Sequence, residues 1–121
     1  MTEPPADTPV FSTDSSPLRL ESEKHLLEAL VELDGERIAQ EPITFIASLE
    51  PAAGVSDANL VDVRPFMPAH GHGTNMGPVE PAGAAYVLRD IVLFMPGRWE
   101  ITLDFIADGV ADAATFAVDV P

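Results

Sequence analysis

A strict alternation of apolar and polar residues constrains the fold of this chain more than any other feature. The clearest case is RWEITLDFIA, whose apolar positions are Trp99, Ile101, Leu103 and Phe105. A period of two is typical of a strand with one buried face. Three other segments repeat it, with apolar positions at Ile43, Phe45, Ala47 and Leu49, at Val61 and Val63, and at Phe116, Val118 and Val120. We therefore expect these side chains to form one core.

Glycine, proline and acidic residues mark turns between these segments, at residues 34–35, 51–54, 71–78, 81–83, 96–97 and 108–109. Short strands with turns every ~8–12 residues predict an all-β fold, an immunoglobulin-like antiparallel β-sandwich of about seven strands. The chain has no cysteine. The disulfide of true immunoglobulin domains is therefore missing, and the likeness is one of architecture.

Residues 22–33 fit two structures. With a helical period, the apolar residues from Leu26 to Val31 share one face, and Ser22 is placed to cap the helix. With a period of two, alternate residues from Leu27 to Leu33 form the face of a strand. Local propensity favours the helix. We nevertheless predict a strand, because the other segments are β and a sheet edge needs partners.

The segment AYVLRDIVLFM is too long for one flat strand. Its Arg89-Asp90 pair predicts a bend or bulge that divides residues 86–88 from residues 91–95.

The first 17 residues differ from the rest in composition. Their prolines, Pro4, Pro5, Pro9 and Pro17, stand among serine, threonine and acidic residues. This composition predicts a disordered spacer at 1–17, followed by the sandwich domain at 18–121. Spacers of this kind often follow the cleavage or lipid-attachment point of exported proteins. We therefore expect an extracytoplasmic protein, periplasmic or lipid-anchored, in which Met1 stands where an export signal has been removed.

The charge of the chain limits its partners. It carries 20 acidic residues against 6 basic ones, a net charge of −14. Such a surface repels phosphate backbones and anionic lipid, so nucleic acid is not an expected partner. No apolar run approaches the ~20 residues that a membrane-spanning helix needs. Because there is no cysteine, thiolate catalysis and thiolate metal sites are excluded.

The stretch MPAHGHGTNM, residues 67–76, is the strongest candidate for chemistry. On an extended backbone His70 and His72 point the same way, about 7 Å apart at ~3.3 Å per residue, so their rings can converge on one ion. Gly71 and Gly73 allow the loop to fold tightly. The sequence therefore predicts a metal site at His70 and His72.

Methionines near this loop add soft donors. Met67 and Met76 flank the histidines, and we expect Met95 to approach from a neighbouring turn. Imidazoles with thioethers suit Cu(I), whereas imidazoles with carboxylates suit Cu(II) or Zn(II). Without thiolates, copper is the expected ion. The predicted metal ligands are thus His70, His72, Met67, Met76 and Met95.

Two stretches of the chain together resemble the YtkA-like family of small immunoglobulin-like domains in exported bacterial proteins and lipoproteins. MPAHGHGT at 67–74 resembles the family's MP-x-H-G-H-G stretch, and FMPGRWEITL at 94–103 resembles its MPG-x-W stretch. The resemblance covers roughly residues 25 to 120. It implies an extracytoplasmic β-sandwich related to small periplasmic copper-handling domains. It says less about biochemical function.

An alternative interpretation gives the loop a structural role. His-Gly-His is then a turn whose imidazoles bond to backbone groups, and Met67 and Met95 are core residues. The chain would serve as a non-catalytic interaction domain that binds another envelope protein. His25 is expected as an exposed strand residue, and Asp104, Asp108 and Asp112 as a solvated acidic rim. We expect no enzyme, because no G-x-S-x-G, phosphate loop or dinucleotide fingerprint occurs.

Overall fold

The computed structural model describes residues 10–11, 18–34, 42–67, 72–73, 79–82, 85–92 and 97–120, and all secondary structure among them is β. No helix that would cross a membrane occurs in these ranges. The strands are β1 (Val10–Phe11), β2 (Leu18–Glu21), β3 (Leu27–Asp34), β4 (Pro42–Pro51), β5 (Ala58–Met67), β6 (His72–Gly73), β7 (Val79–Ala82), β8 (Ala85–Val92), β9 (Gly97–Ala107) and β10 (Val110–Val120).

The strands form two five-stranded sheets that pack face to face. Sheet I has the order β1-β10-β9-β5-β6, and sheet II has the order β2-β3-β4-β8-β7. Neighbouring strands are antiparallel, except that β1 runs parallel to β10. The predicted all-β antiparallel sandwich is confirmed. Eight strands have four or more residues in the described part of the chain, close to the predicted number.

The core lies between the sheets and follows the predicted alternation. The inward face of β9 is fully buried at Trp99, Ile101, Leu103 and Phe105. Sheet II contributes Phe45, whose ring meets that of Phe116 edge to face, with centroids 5.5 Å apart. Ile43 and Val120 belong to β4 and β10, but their side chains lie outside the described residues.

Residues 27–34 form a strand, so the predicted strand is confirmed for the ambiguous segment. The preceding residues 22–26 form a turn instead of a first strand or helical turn. The side chain of Ser22 is buried, and its Oγ accepts hydrogen bonds from the backbone N–H of Leu26 and Leu27, both at 3.1 Å. Ser22 is therefore a cap, as its residue type suggested, but it caps a turn between two strands.

Two β-bulges adjust the register of long strands. Leu88 and Ile91 of β8 pair with Phe45 and Ile43 of β4, so two residues of β8 lie opposite one residue of β4. The predicted bulge at Arg89-Asp90 is therefore confirmed. In β5, an extra residue lies between Leu60 and Asp62. That residue is Val61, which is 53 % exposed, while Val63 is buried. The predicted inward position of Val61 is wrong, because a bulge reverses the alternation locally.

The N-terminal segment contributes one short strand. Val10 and Phe11 form β1 and pair with Ala117 and Val118 of β10. The predicted spacer of residues 1–17 thus includes one short strand pairing at the edge of β10, and its boundary with the sandwich domain stays a prediction. The other residues of the predicted 1–17 spacer lie outside the described part of the chain.

Candidate metal site

The β5–β6 hairpin carries the predicted metal site. Met67, the last residue of β5, pairs with His72, and Phe66 pairs with Gly73. Of the His-Gly-His stretch, only His72 lies among the described residues, and it is the first residue of β6. The hairpin stands at one edge of sheet I, because β6 pairs with β5.

The structure describes the predicted ligands unequally. Met67 is described in full, and His72 only in its backbone. His70, Met76 and Met95 lie outside the described residues, and so does the side chain of His72. The structure therefore brings Met67 and His72 together as a backbone pair and leaves the rest of the ligand set a prediction.

Met67 is part of the apolar core. Its side chain is 1 % exposed and belongs to the same buried cluster as Trp99 and Ile101. The methyl carbon Cε lies against Gly97, the first residue of β9, where an ideal Cβ would stand only 3.0 Å from it. Gly97 also has a φ of 129°, which side-chain-bearing residues rarely adopt.

The outer surface beside the hairpin combines an aromatic ring with charge. Phe66 of β5 is 43 % exposed and pairs with Glu100 of the neighbouring strand β9. Arg98 lies two residues before Glu100 on β9 and pairs with Asp119 of β10. Its Nε and Nη2 donate to the two carboxylate oxygens of Asp119 at 2.7 and 2.9 Å. This pairing raises the pKa of Arg98 through its hydrogen bond to Asp119, so the guanidinium remains charged.

A second group of charged residues, which the sequence did not predict, lies on the outer face of sheet II. Glu21, Glu28 and Glu50 stand directly opposite one another on β2, β3 and β4. Arg19 Nη1 donates to Glu28 Oε2 at 2.8 Å and to Glu50 Oε2 at 3.5 Å. We call the three glutamates the glutamate row, and Arg19 lies beside it. Sequence reasoning missed it because the alignment depends on the register of three strands.

His25 lies at one end of the glutamate row and is exposed, but it belongs to the β2–β3 turn and not to a strand. Its Nδ1 is hydrogen bonded to Glu21 Oε1, and its φ of 59° is left-handed. A cavity of about 260 Å³ beside it is lined by the glutamates and by Pro51 and Ala52. Within the described ranges, no three histidine, aspartate or glutamate side chains converge in a way that would hold a metal ion.

The predicted acidic rim divides into three different environments. Asp104 is partly exposed and pairs with Arg64 at 2.7 and 2.8 Å. Asp108 has a φ of 47° in a two-residue turn with Gly109, and its carboxylate accepts the N–H groups of Ser56 and Asp57. The rim prediction is wrong for Asp112, which is 6 % exposed.

Asp112 fastens the β2–β3 turn to β10. Its Oδ1 accepts the backbone N–H of Lys24 at 2.9 Å and that of Ala113 at 2.8 Å. Burial by itself raises the pKa of the Asp112 carboxyl, but the neighbouring Ser22 hydroxyl and these backbone donors outweigh burial and lower the pKa below 3.8. The carboxylate is thus a structural acceptor through Oδ1, whereas its buried Oδ2 has no hydrogen-bond partner among the described residues.

Ser22, His25 and Asp112 are the residue types of a hydrolytic triad, but they are not arranged as one. The Ser22 hydroxyl is buried and accepts two backbone N–H groups, and the imidazole of His25 is bonded to Glu21. A nucleophilic serine needs an accessible Oγ and a base within hydrogen-bond reach. Ser22 and His25 therefore belong to the β2–β3 turn, and Asp112 holds this turn from β10.

No protein-family model, curated protein or solved structure matches this chain.

Proposed function

We propose that this chain is a copper-binding accessory module of the YtkA-like type, and that it holds one ion at the loop carrying His70 and His72. The observation that supports this most directly is the pairing of Met67 with His72 across the β5–β6 ladder. The ladder anchors one end of the His-Gly-His stretch to a rigid sheet. Sites built on strands are held more precisely than sites on free loops.

The chemistry of the residues favours copper over harder ions. Imidazole nitrogens are good ligands for copper and zinc, and the thioethers of Met67, Met76 and Met95 would add affinity for Cu(I). The net charge of −14 favours the approach of cations but does not select among them. Selectivity therefore depends on the histidines and methionines of the loop.

The location and partner form part of the same proposal. An extracytoplasmic sandwich, periplasmic or lipid-anchored, would hold or pass copper to another envelope protein. The proline-rich composition of the first 17 residues and the two motif stretches support this location.

The primary test is to titrate the protein with Cu(II), and with Cu(I) under reducing conditions. Copper binding and the melting temperature of the protein are measured at each copper concentration. We expect saturation at one ion and a higher melting temperature, because a ligand that binds only the folded state stabilises it. The variant in which His70→Ala and His72→Ala are combined should lose both effects. His25→Ala is the matched control, because it removes the third histidine and should leave copper binding intact.

The pH dependence identifies the ligands. An imidazole must be neutral to bind a metal. If histidines are the main ligands, copper affinity should therefore weaken as the pH is lowered through about 6.5. A thioether does not titrate, so a mixed Cu(I) site should lose less affinity, and Met76→Leu should then make the loss steeper. Absence of saturable copper binding at neutral pH would contradict the proposal.

The second candidate function is an interaction domain without metal, favoured by the 43 % exposure of Phe66 beside the hairpin. A large exposed aromatic side chain on a sheet face is a common element of binding surfaces. Under this alternative, copper has no effect on the melting temperature. Phe66→Ser then weakens association with an envelope partner while leaving the fold unchanged.

A further inference from the structure

The outermost strands of sheet I are much shorter than the strands that they pair with. β1 and β6 have two residues each, whereas β10 has eleven and β5 has ten. β1 pairs with Ala117 and Val118, and β6 pairs with Phe66 and Met67. Free N–H and C=O groups at the edge of a sheet are a template for another strand. The remaining length of β5 and β10 is closed to such a strand only if other groups occupy the N–H and C=O groups that point away from β9.

On β10, Asp112 and the β2–β3 turn occupy these groups. The C=O of Ala113 accepts the N–H of Glu23 at 2.8 Å, so the backbone groups of Ala113 point away from β9. The N–H of Ala113 donates to Asp112 Oδ1 at 2.8 Å, and the C=O of Ala111 accepts Lys24 Nζ at 2.6 Å. An aspartate thus holds the N–H of the residue that follows it, on the side where an added strand would bond.

β5 repeats this arrangement with Asp62. The Oδ1 of Asp62 accepts the N–H of Val63, the next residue, at 2.9 Å. Pro65 follows two residues later and has no N–H, and proline occurs in strands where no ladder donor is needed. Residues two apart direct their N–H groups to the same side, so positions 63 and 65 both face away from β9. An added strand therefore finds no free N–H at either position.

The composition of β5 makes such closure necessary. Residues 60–67 are rich in apolar strand formers, and two of them, Val61 and Phe66, are 53 % and 43 % exposed. Segments with high strand propensity and few charges promote association between molecules, and a charged residue or a proline interrupts them. Asp62 and Pro65 supply both interruptions within this segment.

We propose that Asp62 prevents a second copy of this chain from adding a strand to the edge of β5, because its carboxylate holds the N–H to which that strand would bond. An ionised carboxylate binds an N–H more strongly than a neutral carbonyl does, so an incoming strand offers a weaker acceptor than the one it displaces. Asp112 has the same geometry on β10. The proposal goes beyond the proposed function, since the groups involved belong to described strands and none is a predicted copper ligand.

The first experiment opens the edge of β5 and measures self-association. Asp62→Ala combined with Pro65→Ala creates two free N–H groups on one side of the strand. Asp62→Asn combined with Pro65→Ala is the matched control, because asparagine loses the charge but keeps a side-chain oxygen that accepts a hydrogen bond. Sedimentation velocity gives the size of each protein over a range of concentrations, and circular dichroism verifies its fold. We expect larger species for the alanine pair than for the wild type and the control at the same concentration.

The second experiment follows the hydrogen bond itself and keeps Pro65 in place. Hydrogen exchange at the Val63 amide should become about 2- to 10-fold faster in Asp62→Ala, the effect of losing one such bond. In Asp62→Asn it should remain near the wild-type rate. The exchange is measured at a protein concentration low enough that no variant associates.

The outcomes decide the proposal in each case. Self-association of the folded alanine pair beyond that of the asparagine control supports it. Equal association of the two pairs would overturn it, because charge or the loss of Pro65 would then be the cause, and so would a folded alanine pair no larger than the wild type. If the alanine pair does not fold, the single variants decide, and equal exchange at Val63 in Asp62→Ala and Asp62→Asn would overturn the proposal. Neither experiment involves copper, so failure of the proposed function leaves both results interpretable.

Discussion

The carboxylate of Asp112 on β10 accepts the backbone N–H of Lys24, a residue 88 positions earlier in the turn between β2 and β3. This hydrogen bond joins the two sheets of the sandwich. It is reinforced by Glu23 N–H, which donates to the Ala113 carbonyl at 2.8 Å, and by Lys24 Nζ, which donates to the Ala111 carbonyl at 2.6 Å. One side of the core is closed by polar contacts as well as by packing.

Replacing Asp112 should weaken this closure. Asp112→Ala leaves the N–H groups of Lys24 and Ala113 without their acceptor, and we expect a loss of about 1–3 kcal/mol in the free energy of unfolding at neutral pH. Chemical denaturation measures this difference. Glu32→Gln, at an exposed position of β3, is the control for removing one negative charge and should have little effect.

The effect of Asp112 on stability should also depend on pH. The pKa of its carboxyl is lowered below 3.8 in the folded protein, so the stabilisation is fully present above the unfolded-state pKa near that value. It is lost as pH falls through the lower folded pKa. The difference in unfolding free energy between wild type and Asp112→Ala should therefore shrink below pH 3.8. A difference that grows on acidification would contradict the sign of this shift.

Trp99 should be the most sensitive position of the core. It is fully buried, and truncation of a buried aromatic side chain costs about 3–5 kcal/mol because a cavity remains. We expect Trp99→Ala to be largely unfolded at room temperature or to melt far below the wild type. The native protein should show blue-shifted tryptophan emission. An emission maximum typical of exposed indole would contradict the buried position.

Removal of residues 1–17 should destabilise the sandwich slightly. The deletion removes β1 and leaves the edge of β10 at Ala117 and Val118 unpaired. Because a hydrogen bond contributes about 0.5–1.5 kcal/mol net, we expect a loss of about 1–2 kcal/mol. Hydrogen exchange should become faster at whichever of Ala117 and Val118 directs its N–H to β1, since consecutive residues of a strand direct their N–H groups to opposite sides. Removal of residues 1–9 keeps β1 and is the matched control. An unchanged melting temperature after the longer deletion would support the prediction of a spacer without structural role.

The glutamate row should make stability depend on salt. Glu21, Glu28 and Glu50 are directly opposed, and like charges in this arrangement repel one another. Arg19 offsets this repulsion, so Arg19→Gln should destabilise the protein more at low than at high ionic strength. Thermal unfolding at two salt concentrations measures the effect. Arg98→Gln removes an arginine that pairs with one carboxylate, and its salt dependence should be smaller.

Alternation in the sequence was sufficient to predict the strands and most of the core. Trp99, Ile101, Leu103 and Phe105 are buried as their spacing indicates, and the bulge at Arg89-Asp90 lies where the charged pair interrupts the apolar pattern. These features are local. A strand places alternate side chains on opposite faces whatever its partners are, so a period of two is preserved in the fold.

The tertiary structure decided how distant strands meet. A bulge turned Val61 outward, strand register aligned the three glutamates, and the β2–β3 turn buried Asp112. The contact between Met67 and Gly97 likewise joins two motifs that the sequence shows only as separate stretches. No spacing along the chain contains this information, because cross-strand register depends on how strands far apart in sequence pack on a common core. The sequence by itself determined which residues can face the core and which residue types are available to bind a metal. Their neighbours across the sheets are set by the pairing of distant strands.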